Sequence, residues 1–220
     1  MDAQPHRVFV SGGTGYVGRP LIAQLLERGH QVRALVRPGS ERKLPAGCQV
    51  ISGDALDGRS YASQIAPSDT FVQLVGVAHP SPAKTTEFRN IDLASGRSAV
   101  EAAKGAGVEH FVYVSVAHPA PVMKAYIEVR TQCEAMIGES GMNATILRPW
   151  YVLGPGHRWP YFLLPIYRLM ELLPSTRAGA SRLGLVTLGQ MVRALVYAVE
   201  TPAHGVRVVE VPQIRASLSS

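Results

Sequence analysis

Short runs of β-branched and aromatic residues alternate along this chain with longer stretches whose apolar positions recur every three or four residues. Val8–Val10 opens the series. From Tyr16 to Arg28 the apolar residues Val17, Leu21, Ile22, Leu25 and Leu26 form a helical stripe, which Gly29 closes. Strands are expected at Gln31–Val36, Gln49–Ser52, Thr70–Val75, His110–Ser115 and Asn143–Leu147. Helices are expected at Thr86–Lys104, ended by Gly105 and Gly107, and at Lys124–Glu139, ended by Gly141. Strands joined by helix-length connections pair in parallel, and their crossovers are right-handed. The pattern therefore predicts an α/β fold, a doubly wound parallel sheet with helices on both faces. After Arg148-Pro149 the rhythm changes. Trp150–Ala180 is rich in Pro, Gly, Leu and aromatics, with one helix expected near Leu163–Leu173. A helix over Gly189–Glu200 and a strand over Val206–Val211 complete the chain. One domain over residues 1–220 is expected, with residues 150–185 as a small C-terminal cap segment.

Composition narrows the class. At 220 residues, 46% hydrophobic and 17% charged, the chain is globular. No apolar run is long enough to span a membrane. MDAQPHRVFV enters a strand without a signal-peptide pattern, and Cys48 and Cys133 suggest no disulfide framework, so a cytoplasmic protein is expected. The net charge of +6 is spread along the sequence rather than clustered, which reads as a solvated surface plus a phosphate pocket and not as nucleic-acid binding. YFLLPIYRLMELLP is amphipathic and proline-interrupted; a lid helix is the preferred reading and peripheral membrane association the weaker one. No metal-ligand spacing and no G-x-S-x-G turn is present.

SGGTGYVGRP, between the first strand and first helix, carries the chemistry. In G-x-x-G-x-x-G, Gly12 permits the tight turn, Gly15 admits a pyrophosphate to the backbone, and Gly18 lets helix pack on sheet. Thr14, Tyr16 and Val17 lie inside the same loop and are candidate cofactor contacts. The helix N-terminus adds free N–H groups and a partial positive charge. With a strand before it and a helix after it, this is a Rossmann dinucleotide site.

NAD sites usually place an acid at the end of the second strand, to hold the ribose 2′-hydroxyl. In VRALVRP that place is Arg37, whose guanidinium would grip a 2′-phosphate. NADP(H) is therefore expected over NAD(H), with NAD(H) still possible. Arg33 is expected to assist weakly, and Lys43 could reach in from the following loop.

The glycine spacing, VRALVR, GDALD, FVYVS, the Y-x-x-x-R of "AYIEVR" and ILRPWYVLGPG together resemble the extended and atypical short-chain dehydrogenase/reductase superfamily over nearly the whole chain. The resemblance is strongest to its epimerase/dehydratase, NmrA-like and complex I 39-kDa-subunit-like branch. It implies that Asp54 accepts from the adenine amino group, with Ala55 beside it; the weaker alternative is that Asp54 caps the following short helix. It further implies that Leu74, Val75 and Gly76 lay bare backbone against the cofactor and that the Pro149 turn meets the nicotinamide amide. Trp150, Tyr151, His157, Trp159, Tyr161 and Phe162 would either line a substrate wall or form the core of the cap.

The same resemblance assigns Tyr126 as acid/base, Arg130 in the place of the usual lysine, and Ser115 as holder of the substrate oxygen. Tyr126 and Arg130 are four apart and share a helix face. Arginine can lend a field but cannot relay a proton. The substrate-binding hydroxyl commonly falls one or two places after Ser115, where Val116 and Ala117 stand; His118 is a substitute. Two functions follow: an oxidoreductase or epimerase/dehydratase-type enzyme acting by hydride transfer on a small carbonyl, sugar or isoprenoid-like compound, or a cofactor-binding sensor or assembly module without turnover.

Overall fold

The computed structural model describes residues 5–78, 80–120, 122–155 and 183–216. Among the described residues, its centre is a sheet of seven strands: β1 (Arg7–Ser11), β2 (Gln31–Val36), β3 (Gln49–Ser52), β4 (Thr70–Gln73), β5 (His110–Val114), β6 (Asn143–Arg148) and β9 (Val206–Glu210). Their order across the sheet is β3-β2-β1-β4-β5-β6-β9. Every pairing is parallel. The chain starts at the centre, winds outward to β3, then crosses back to β4 and winds the other way. This reversal opens a crevice at the C-terminal ends of β1 and β4, where ligands bind in such sheets.

Alternation along the strands builds two cores. Val8 and Val10 of β1, Val72 of β4 and Val112 of β5 face helix α1 (Gly18–Glu27) and helix α5 (Leu188–Glu200), meeting Leu21, Ile22, Leu25, Met191 and Leu195. Phe9, Phe71 and Phe111 lie in register on the opposite face. Their rings stack at centroid distances of 5.0 and 5.3 Å, contacts worth about 1 kcal/mol each beyond area burial. Small residues cover this aromatic row: Ala99 and Ala103 of α3 (Ala94–Gly105), beside Cys133 and Ile137 of α4 (Lys124–Glu139). Large side chains on the sheet against small ones on the helix let the layers interdigitate. α3 and α4 also approach closely, since a β-carbon at Gly96 would lie 2.6 Å from the Cys133 sulfur.

Several boundaries depart from the sequence pattern. β4 stops at Gln73, because Leu74–Gly76 leave the sheet to line the crevice, though the Leu74 N–H still bonds the Ser11 carbonyl at 3.1 Å. β5 stops at Val114, one residue before Ser115. The expected helix Thr86–Lys104 begins as α2 (Thr85–Glu87), widens into a π-helical stretch, Phe88–Leu93, and continues as α3. Val211, expected to end the last strand, opens a short helix, α6 (Val211–Ala216). A second, two-stranded parallel ladder joins β7 (Tyr151–Leu153) to β8 (Leu185–Thr187). The helix expected near Leu163–Leu173 and the wall residues His157, Trp159, Tyr161 and Phe162 lie outside the described residues.

Candidate cofactor cleft and active site

The glycine loop closes on itself. Gly12 has φ +77° and its carbonyl accepts from the Gly15 N–H at 3.0 Å. A β-carbon at Gly12 would press within 2.9 Å of the Leu74 carbonyl carbon, so this glycine serves both the turn and the approach of β4. A β-carbon at Gly15 would meet only the Gly12 oxygen, at 3.1 Å, and its outer side is open to an approaching ligand. Val17 is the N-cap of α1 and packs on the core, and no side chain caps the helix. The Gly15 carbonyl takes the Arg19 N–H at 3.2 Å and Pro20 has none, so what this helix end presents to an anion is chiefly its partial positive charge.

A cleft of about 470 Å³ opens beside the loop. Gly12, Thr14, Gly15, Arg37, Asp54, Ala55, Leu74, Val75 and Gly76 all line it, together with Ser40, Val77, Lys84, Glu87 and Ile91, which the sequence reading did not single out. Ser40 could have been found by following the loop after Arg37. Lys84 and Ile91 carry no local signal. Arg37 is exposed and makes no side-chain hydrogen bond or ion pair among the described residues. One oxygen of Asp54 accepts from the Leu56 N–H at 2.9 Å, so this carboxylate caps the turn while also facing the cleft. Tyr16 lines a second hollow on the outer side of the loop, with Thr14, Arg19, Arg42 and Lys43. Pro149 is buried, accepts from the Ala117 N–H at 2.9 Å, and does not line the cleft.

Arg33 cannot assist Arg37. Its guanidinium donates to the Gln64 carbonyl at 3.0 Å and to the Ala66 carbonyl at 2.5 Å, at the opposite end of the sheet. β2 runs from Gln31 to Val36, so Arg33 sits early in the strand while Arg37 follows its C-terminal end.

Tyr126 and Arg130 share one face of α4, with the guanidinium carbon 5.0 Å from the phenol ring centroid. Arg130 is buried. It donates to the Val114 carbonyl at 2.9 Å and the Tyr113 hydroxyl at 3.1 Å, and pairs with Asp92 at 2.5 Å. The electrostatic partner expected for Tyr126 is thus itself partnered, and Asp92 offsets its charge. Burial pushes the Tyr126 phenol above its ordinary pKa; Arg130 pulls it down and Asp92 pushes it up, leaving a net rise. Burial also works against the Arg130 charge, but Tyr113, Tyr126 and Asp92 hold its pKa well above the usual value. The Tyr126 ring rests on Phe88, centroids 4.9 Å apart.

Ser115 is buried, and its hydroxyl donates to Glu134, one turn beyond Arg130 on α4. Glu134 also receives Arg148 Nε at 3.0 Å and its Nη2, and lies 3.6 Å from His118 Nε2. A substrate oxygen would have to compete with Glu134 for the Ser115 hydroxyl. The i, i+4, i+8 spacing of Tyr126, Arg130 and Glu134 could have revealed Glu134; Asp92 sits mid-helix in sequence and gives only the signal of an acid on an apolar face. Among the described residues, no group of His, Cys, Asp and Glu is placed to hold a metal ion, and no helix is long and apolar enough to cross a membrane.

The cleft and the Tyr126–Arg130 face adjoin at Gly76. A β-carbon there would lie 2.3 Å from Arg130 Nη2 and 3.0 Å from the Asp92 carboxylate, so only glycine leaves room for the ion pair behind the cleft wall.

Known proteins agree with this geometry. A family described as NAD(P)H-binding matches residues 12–157. A "3-diazoavenalumate denitrifying reductase" of a Streptomyces species is 27% identical, aligned over 90% of this chain and 74% of its own length. A "Ceramide reductase" of Caulobacter vibrioides is 26% identical over 94% of this chain and 65% of its own. The photosystem II assembly factor Ycf39 of Cyanophora paradoxa is 27% identical over 64% of this chain, which spans 44% of that protein's length. In fold, the chain resembles the Bordetella bronchiseptica enzyme WbmH in complex with NAD+, with a TM-score of 0.70, 23% identity, and coverage of 92% of this chain and 75% of that one. The glycine cradle, the helix end and the adjoining cleft fit a dinucleotide, and this chain belongs to the family described as NAD(P)H-binding.

Proposed function

We propose that the protein is an NADP(H)-dependent reductase of a small carbonyl or sugar-like compound. The observation that carries this reading is the junction at Gly76, where the wall of the cofactor cleft meets the face bearing Tyr126 and Arg130. The free guanidinium of Arg37 beside the cleft supports selection of a 2′-phosphate.

The nicotinamide, when bound, supplies hydride. The protein's part is to orient it and to manage the proton. With its pKa raised, the Tyr126 phenol keeps its proton at neutral pH, which suits a donor to a carbonyl oxygen and hence the reducing direction. Two relatives carry "reductase" in their names, which favours the same direction. Arg130, bonded to Val114 and Tyr113, holds the floor under the phenol rather than relaying protons.

The engagement of Arg130 by Asp92 and of Ser115 by Glu134 favours a second reading, a nucleotide-binding sensor or assembly module without turnover. NADPH oxidation across a panel of aldehydes, ketones and nucleotide sugars separates the two. The enzyme reading requires turnover that Tyr126→Phe abolishes; tight NADPH binding with no turnover on any member of the panel supports the sensor.

A further inference from the structure

Asp92 is fully buried, yet it carries a carboxylate into the layer between α4 and the cofactor cleft. It lies in the π-helical stretch Phe88–Leu93, a local widening of the helix of a kind frequent at functional sites. Each of its oxygens has a separate task. Oδ1 receives Arg130 Nη2 at 2.5 Å. Oδ2 accepts the backbone N–H of Val77 at 3.0 Å. Val77 lines the cofactor cleft next to Gly76, whose missing side chain makes room for the ion pair. The opposite side of Arg130 is fixed on β5 through Val114 and Tyr113, and its plane underlies the Tyr126 ring. One carboxylate therefore joins the cleft wall, the β5 end and the candidate proton donor.

Stability does not explain such a group. A buried ion pair seldom outperforms well-packed apolar side chains of the same volume, while removal of one partner leaves an uncompensated charge. What the pair adds is geometry and charge balance.

We propose that Asp92 is a positioning residue of the site: it sets the Gly76–Val77 strap against which the dinucleotide lies, and it offsets the Arg130 charge so that Tyr126 remains a proton donor rather than a tyrosinate. This rests on the cleft being the dinucleotide site and deepens that reading with a residue that touches neither cofactor nor substrate.

The test uses the full chain with two readouts that need no substrate. NADPH and NADH affinities come from fluorescence titration. Tyr126 ionisation comes from phenolate absorbance against pH, as the difference between each protein and its own Tyr126→Phe counterpart. In Asp92→Asn, NADPH affinity is expected to weaken about tenfold, because the Val77 amide and the guanidinium compete for one remaining acceptor oxygen. The Tyr126 midpoint is expected to fall by roughly one pH unit, because Arg130 is no longer offset. Asp92→Glu keeps the charge but moves the acceptor, so the midpoint should stay while NADPH binding weakens; this variant carries the test if Asp92→Asn does not fold. A purely structural role would lower the melting temperature and leave both readouts at wild-type values, which overturns the proposal. Wild-type protein that binds neither nucleotide overturns the cofactor reading with it, whereas normal wild-type binding with an indifferent Asp92→Asn overturns only the role of Asp92.

Discussion

Gly18 stands against Gly12 so closely that a β-carbon on the first would lie 2.3 Å from the carbonyl oxygen of the second. The obstruction is backbone, which cannot rotate away. Gly18→Ala is therefore expected to push α1 off the loop, costing about 2 kcal/mol of stability and most of the NADPH affinity. Gly138, exposed within α4 with nothing near its missing side chain, is the control. Gly138→Ala should stabilise by about 0.5–1 kcal/mol and leave binding unchanged. Urea midpoints and nucleotide titrations of the two variants check the contrast.

Arg37 and Arg33 offer a second contrast. Arg37→Ala should weaken NADPH binding about tenfold or more and spare NADH, because only the 2′-phosphate loses a charged, forked donor. Arg33→Ala should leave the NADPH-to-NADH ratio unaltered, since that guanidinium serves the Gln64 and Ala66 carbonyls. Paired titrations with both nucleotides read the ratio directly, and a shift in the Arg33 variant would contradict the geometry.

Tyr126→Phe should lower carbonyl-dependent NADPH oxidation by roughly a hundredfold or more, with NADPH affinity retained, since only the proton donor is lost. The sign of its pH dependence follows from the raised phenol pKa. The donor form persists through neutral and mildly alkaline pH, so wild-type reduction should decline only above about pH 10, the ordinary tyrosine value. A decline near neutrality would mean that another group supplies the proton.

Acid should unfold this protein partly through His110. The imidazole is buried, with Nε2 3.0 Å from the Thr145 hydroxyl, and burial lowers its pKa from 6.5 to about 4, with Arg207 adding to the effect. Between those values the unfolded chain holds a proton that the folded chain does not. The contribution is thus complete above pH 6.5 and is lost as pH falls to about 4, about 3 kcal/mol in all. Denaturant midpoints at pH 7 and pH 4.5 should differ accordingly, and His110→Asn should flatten the difference.

Most of the scaffold was readable from the sequence because local pattern and tertiary need coincide. Val8, Phe9 and Val10 alternate faces in the sequence and do so in the sheet. The glycines of the loop are set by contacts within a few residues, so their roles follow from spacing. The misses concern relationships that spacing does not encode. VRALVR suggests that Arg33 could assist Arg37, but Arg33 lies early in β2 and bonds the Gln64 carbonyl, while Arg37 follows the strand's C-terminal end and lines the cleft. Tyr126 and Arg130 announce themselves as neighbours, whereas Asp92 reaches them only through a crossover and a widened helical turn. Ser115 directly follows an obvious strand, but whether its hydroxyl is free depends on Glu134, contributed by the next helix.

The β7–β8 ladder has an architectural implication. Tyr151 pairs with Leu185 and Leu153 with Thr187, so the polypeptide departs and comes home through one small clasp. β7 follows β6 after two residues, and β8 runs straight into α5, so the clasp ties the C-terminal edge of β6 to the start of the helix that covers one face of the sheet.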